Sequence, residues 1–266
     1  MLRSTNVLKD YAIQATDGTI GHVKDFYFDD QSWVIRYLIV ETGNWLASRK
    51  VLISPIALGH PNWADKVLPV SMTQEQVKHS PDIDTNMPVS RQHEMQYLSY
   101  YNYPYYWGGA GLWGGEMGPN MIMPGYQGYA PDGPSRRPEA QRDPASRGNP
   151  PDTKNDPHLR SCNAVTGYHI HATDGDIGHV QGLLLDEENW AIRYLVVDTS
   201  NWWLGRKVLI SPQWIDDISW ADSKLSVNLT RQAVQDAPGY NPSEPLSRDQ
   251  EESFFKHYGR SNYWDH

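Results

Sequence analysis

The 266-residue chain has a single cysteine, Cys162, so no internal disulfide can form and the fold cannot depend on an oxidising compartment. Cys162 reads as a small residue at a linker end or strand start. Phenylalanine is scarce, with 4 residues against 16 Tyr and 11 Trp. The aromatic content therefore carries polar handles that suit surfaces as well as interiors. Long apolar runs are missing too. Val34–Val40 and Val208–Ile210 fall far short of the ~18–20 residues needed to cross a bilayer. The opening residues MLRSTNVLKDYAIQATDG lack the apolar stretch of about 7–15 residues typical of a secretion signal. These features predict a soluble, cytoplasmic protein without a transmembrane segment, with peripheral attachment at an inner membrane left open.

No part of the chain is basic. Net charge is −9, and Lys+Arg against Asp+Glu runs 9 to 11 over residues 1–100, 5 to 6 over 101–159 and 9 to 15 over 160–266. Nucleic-acid binding draws on clustered cations that release counterions from phosphates, so no nucleic-acid partner is expected. Nucleophile elbow, P-loop, strand-linked G-x-G-x-x-G and C-x-x-C are all missing. A non-enzyme without a cofactor is the expectation.

An internal repeat is present. ATDGTIGHV (15–23) recurs as ATDGDIGHV (172–180), IRYLIVETGNW (35–45) as IRYLVVDTSNW (192–202), and RKVLISP (49–55) as RKVLISP (206–212). The offset is 157 throughout, and still pairs Trp107 with Trp264. Two homologous modules of ordinary domain size follow: residues 1–107 and 159–266. Residues 108–158, rich in Gly, Pro and charge, cannot bury enough apolar surface to offset chain entropy and are predicted to be a disordered linker.

Each module reads as short strands followed by short helices. Tyr11–Ala15, Ile20–Phe28, Trp33–Glu41, Lys50–Ile53 and Val67–Val70 are predicted strands. Their counterparts in the second copy are Tyr168–Ala172, Ile177–Leu185, Trp190–Asp198, Lys207–Ile210 and Leu225–Val227. Asp17-Gly18 and Asp174-Gly175 supply turn chemistry between the first two strands of each copy. About five closely spaced strands favour a small barrel over a sandwich. Thr73-Gln74-Glu75-Gln76 and Ser247-Arg248-Asp249-Gln250 have capping-box spacing, and Thr230 and Ser90 begin further helices.

These motifs resemble the PRC-barrel family: the Asp-Gly opening with its later Gly and Val, the IRYLIV and IRYLVV strands each followed by an acid and Thr, and the LISP segments. The aromatic-to-Arg-Tyr-Leu pattern and the terminal SRDQ helix start are similar to the cytoplasmic domain of the photosynthetic reaction-centre H subunit. The resemblance implies a mainly β fold of two small PRC-type barrels, each followed by short helices. By its arrangement the chain is similar to tandem PRC-barrel proteins of bacteria. The implied role is a non-catalytic adaptor that binds protein partners, including a membrane or electron-transfer complex of the photosynthetic light reactions. Two alternatives stand beside it: a small-ligand or metal-binding sensor, and a ribosome-assembly accessory.

Candidate interaction residues are Asn44, Trp45, Arg49 and Lys50, and in the second copy Asn201, Trp202, Trp203, Arg206 and Lys207. Trp and Arg are enriched at binding hot spots. The competing reading is a Trp lid closing the barrel. Arg36 and Arg193 interrupt the most apolar strands and need partners if buried. Glu41 and Asp198, or the acids of the preceding turns, are the candidate ion-pair partners. His22, His179 and the pair His169/His171 have no ligand spacing shared by both copies, so no metal site is assigned. The turn carboxylates Asp29-Asp30 and Asp186-Glu187-Glu188 lack a calcium-loop pattern.

Overall fold

The computed structural model describes residues 1–81, 89, 91–107, 109–122, 158–199 and 206–265. In chain order the elements are β1 (Leu2–Ser4), α1 (Thr5–Leu8), β2 (Ala12–Gln14), β3 (Thr19–Asp29), β4 (Val34–Thr42), β5 (Lys50–Ile53), β6 (Val67–Pro69), α2 (Gln74–Lys78), α3 (Arg91–Tyr101), β7 (Leu159–Ser161), α4 (Cys162–Val165), β8 (His169–Ala172), β9 (Gly175–Asp186), β10 (Ile192–Asp198), β11 (Lys207–Ile210), β12 (Ile215–Ser219), β13 (Lys224–Val227), α5 (Arg231–Asp236) and α6 (Arg248–His257). The chain is mainly β, as its sequence implies.

Two compact units form. One comprises Asp10–Arg160, the other Met1–Lys9 together with Ser161–His266. The repeat boundaries at 107 and 159 do not coincide with this division, because residues 1–9 complete the unit built from the second copy. Within Asp10–Arg160 the strand order is β5-β4-β3-β2-β6, with β7 on β3; the other unit runs β11-β10-β9-β8-β13-β12, with β1 on β9. Along these two strand orders neighbours are antiparallel except β2 with β6 and β8 with β13, and β1 is antiparallel to β9. Among the described residues neither ladder joins its two end strands, so the expected closed barrels are two open sheets. β12 has no predicted counterpart.

The interiors follow the apolar strands. Val34, Ile35, Leu38 and Val40 of β4 are buried with Ile13, Ile20, Phe26, Phe28 and Leu68; Leu195, Val197, Ile170, Ile177, Leu183 and Leu225 do the same in the other unit. Trp33 and Trp190, expected to open strands, are left-handed turn residues at φ 55° and 61° instead. Their amides close the turns onto Asp29 O and Asp186 O, both at 2.8 Å. Asp29 Oδ1 also accepts from the amides of Gln31 and Ser32, both at 3.0 Å, which is why an aspartate stands there.

Two glycines of the repeated IGHV motif are set by close approach. A Cβ on Gly21 would meet Glu41 O at 2.0 Å, and one on Gly178, at φ 139°, would meet Asp198 O at 2.1 Å. The helix starts follow the sequence. Thr73 with Gln76 and Ser247 with Gln250 both form reciprocal capping boxes, and Thr230 caps α5 through its side chain alone. Ser90, the expected start of a further helix, lies outside the described residues. Asp17 Oδ1 accepts from Gln74 N at 2.8 Å and Asp174 Oδ1 from Arg231 N at 2.7 Å, so the turn acids also satisfy the next helix's first amides.

Described parts of the expected linker are ordered. Trp113 is buried, with bridges between Gly111 and Gly114 and between Trp113 and Glu116, and His158 is buried at the other end. Aromatic side chains that seal a buried arginine hold this stretch. Residues 108 and 123–157 lie outside the described residues.

Candidate functional site

The loop between β4 and β5 carries the first group of candidate interaction residues. Trp45 is half-buried and its Nε1 donates to Ile20 O at 2.7 Å, which lays the indole against the start of β3. Arg49 turns inward: Nη1 donates to Lys78 O at 3.1 Å and Nη2 to Ser80 O at 2.9 Å, capping the C-terminal end of α2. Arg206 does the same for α5, donating to Gln235 O at 3.2 Å and Ala237 O at 2.8 Å. Both arginines satisfy orphan helix carbonyls. Asn44 and Lys50 are left exposed, and Lys207 is half-exposed. Lys50 stands opposite Glu41 and Lys207 opposite Asp198, as complementary cross-strand pairs. Asn201, Trp202 and Trp203 lie outside the described residues.

The loop backbone is unusual. Ala47 and Ser48, both exposed, are consecutive left-handed residues at φ 51° and 56°. Non-glycine residues there cost on the order of 1–3 kcal/mol each and persist only when their surroundings fix them. The fixing bonds run from Ala47 N to Asn44 O, from Ser48 N to Gly43 O, and from Thr42 Oγ1 to Arg49 O at 2.8 Å.

Arg36 does not meet Glu41, and Arg193 does not meet Asp198. Each pair lies five positions apart along its strand, about 16 Å of chain. Both arginines are bulge residues: the register steps from Tyr27↔Tyr37 to Phe28↔Ile35 and from Leu184↔Tyr194 to Leu185↔Ile192, passing over Arg36 and Arg193. A bulge re-aims the side chain. Arg36, 3% exposed, donates to Leu112 O at 2.6 Å and Ser32 Oγ at 3.1 Å, and lies 3.8 Å from the centroid of the Tyr106 ring and 4.8 Å from that of Trp113. Burial pushes its guanidinium below the ordinary range, opposed by nearby Tyr106, Asp29 and Glu94. Arg193 lies over Tyr263 at 4.1 Å and pairs with the turn acid Asp186 at 3.7 Å.

Beside each arginine is a buried carboxylate that sequence reasoning missed. Glu94, 1% exposed, accepts from Tyr37 Oη at 3.2 Å and from Tyr106 Oη, while His158 Nε2 lies 2.6 Å from its other oxygen. Glu251, 3% exposed, accepts from Tyr194 Oη at 3.0 Å and Tyr263 Oη at 2.9 Å, with Arg248 at 3.1 Å on its second oxygen. Burial, then the neighbouring carboxylate, pushes Tyr37, Tyr194 and Tyr263 upward. The signal was available: Arg36, Tyr37, Glu94 and Tyr106 recur at the repeat offset as Arg193, Tyr194, Glu251 and Tyr263.

The histidines are strand residues. His22 is exposed, and His179 stands opposite both His169 and Asp198 on adjacent strands. His171 pairs with Asp176 at 2.7 Å. Among the described residues no group of three or more His, Cys, Asp or Glu is placed to hold a metal ion. No described helix is long and apolar enough to cross a membrane.

The bulged Arg-Tyr strand, the close-approach Gly21 and the β2–β6 sheet make up the first copy. A PRC-barrel domain is found at residues 2–67. The PRC-barrel match thus takes in the β1–α1 segment and runs on to the start of β6. No curated protein matches the chain.

Proposed function

We propose that the protein is a non-catalytic adaptor with tandem PRC-barrel domains, the second built on residues 159–266, that binds a protein partner through the β4–β5 loop and its repeat. The observation that carries this reading is the exposed, hydrogen-bonded loop holding Ala47 and Ser48 in consecutive left-handed conformations. Strain kept at an exposed loop is a cost that presentation of neighbouring side chains would explain, and pre-ordering lowers the entropy lost on binding. Asn44 and Lys50 are the exposed side chains it presents. The carboxylates of Glu94 and Glu251 are buried and already accept from internal donors, which supports a role in folding.

The finer reading is a partner within a membrane-bound, electron-transfer type of complex. Affinity capture from the native cell tests both levels, with membrane and soluble fractions kept apart. The full chain is expected to recover a defined partner, enriched in the membrane fraction. The Asn44→Ala/Lys50→Glu variant is expected to lose it while staying folded by circular dichroism, with a slightly lowered melting temperature from the acid set opposite Glu41. Equal recovery by variant and wild type would remove the loop from the interface.

A further inference from the structure

Each compact unit is completed by a short segment adjoining the other copy of the repeat. Leu2-Arg3-Ser4 recurs as Leu159-Arg160-Ser161 at the repeat offset. β1 pairs antiparallel along β9, with Leu2 opposite Asp186, Arg3 opposite Leu185 and Ser4 opposite Leu184, whereas β7 pairs with β3. The chemistry of the two seats is shared. Arg3 Nε lies 2.8 Å from Glu187 Oε2, and Arg160 Nε lies 2.9 Å from Asp30 Oδ2; Asp30 and Glu187 are themselves repeat equivalents.

After the strand, Ser4 caps a helical turn whose Leu8 is fully buried. Thr5 Oγ1 donates to Leu183 O at 3.4 Å and Asn6 Nδ2 to Gln181 O at 3.3 Å. The chain then leaves at Asp10, left-handed at φ 67°; its equivalent Gly167 is left-handed at φ 94°. The PRC-barrel match runs unbroken from residue 2 to 67, yet residues 2–9 seat on β9, more than 160 residues away in sequence.

We propose that the edge of β9 is an acceptor site for an extended Leu-Arg-Ser strand followed by a helical turn, and that the Met1–Lys9 segment of a second copy of this chain fills it in exchange for the first. This inference does not rest on the adaptor reading. The site recognises an apolar side chain, a guanidinium facing Glu187 and a turn seated on β9 carbonyls, none of which depends on which copy supplies them. Strand addition to a sheet edge supplies the main-chain bonds. Gly182 leaves room for Asn6, whose Nδ2 lies 2.9 Å from where a Cβ on that glycine would stand; the repeat carries Asp25 and Asn163 at the two equivalent positions. A tethered segment has an effective concentration of about a millimolar, so exchange emerges when the internal pairing is weakened or the chain is concentrated.

Two full-length variants test this. Arg3→Glu sets two acids against each other at the seat, and Glu187→Arg sets two bases there. Each alone is expected to remain at the mass of one chain by light scattering, with a lowered melting temperature. Mixed at about 1 mM each, they are expected to pass to the mass of two chains, with a dimer fraction about tenfold above that of wild type. Arg3→Glu/Glu187→Arg in one chain is expected to restore both the melting temperature and the single-chain mass. A mixture that stays at one-chain mass, with both variants folded by circular dichroism, would overturn the proposal. Should either variant not fold alone, the two are refolded together: folded two-chain species support the exchange, and none, while the double variant refolds, overturns it.

Discussion

Glu94 holds three donors in an interior where none could find water. Glu94→Ala would strand the hydroxyls of Tyr37 and Tyr106 and the imidazole of His158, at a cost of about 3–5 kcal/mol. Tyr37→Phe removes one donor and should cost about 1–3 kcal/mol; urea unfolding curves separate the two. The phenols also set the alkaline limit. Tyr37, Tyr97, Tyr194 and Tyr263 are pushed upward by burial, and Tyr103 up to about 12. A phenol with a folded-state value above its unfolded value of about 10 stabilises the fold fully below pH 10. That contribution is lost as pH rises through the folded value, because the unfolded chain releases the proton first. Absorbance at 295 nm should therefore show a subset of the 16 tyrosines ionising only together with loss of the circular dichroism signal. Smooth titration of all of them near pH 10, with the fold intact, would contradict this. The buried arginines were legible as residues needing partners, and the turn acid Asp186 was among the candidates for Arg193; the rings of Tyr106, Trp113 and Tyr263 were not. Strict strand alternation cannot anticipate a bulge, and Tyr106 and Tyr263 arrive from outside the strands.

Elements were the easier scale. The β-branched strands, the Asp-Gly turns and the capping boxes at Thr73 and Ser247 carry their own local chemistry, and each forms where its residues stand. Strand edges slipped at Trp33 and Trp190, since an aromatic residue favours a strand by propensity but the turn demanded a left-handed residue. β12 went unforeseen because Ile215–Ser219 carries two acids in a five-residue strand. The loop arginines read as surface contacts and turned out to be helix caps, a role set by the fold rather than by neighbours in sequence. Arg206→Ala should leave the carbonyls of Gln235 and Ala237 uncapped and cost about 1–3 kcal/mol. Gly178→Ala forces a Cβ against Asp198 O and should cost about 2–4 kcal/mol. Thermal melts rank the two; a neutral Gly178→Ala would mean that β9 and β10 approach less closely at this point than the 2.1 Å Cβ contact requires.

For the molecule as a whole, the constant offset of 157 announced duplication without alignment to anything else. It did not announce that Met1–Lys9 completes the other unit, because a three-residue strand carries no periodic signal and the repeat gives order along the chain, not pairing. Composition also read the Gly-rich sequence around Trp113 as linker, whereas Trp113 is buried and its ring lies by Arg36. On the proposed adaptor reading, two loops on one chain would bind with avidity, and a linked pair can exceed either site alone by about 10²–10⁴. Charge reversal at Lys50 alone or at Lys207 alone should each release most of that gain in a binding titration, with the double variant falling to background.

The adaptor reading is tested most directly by crosslinking mass spectrometry in the native cell, in which amine-reactive links map the partner surface. Links from both Lys50 and Lys207 to one partner are the expected result. A partner linked only through other lysines, with Lys50 and Lys207 unmodified by it, would contradict the role assigned to the repeated loop.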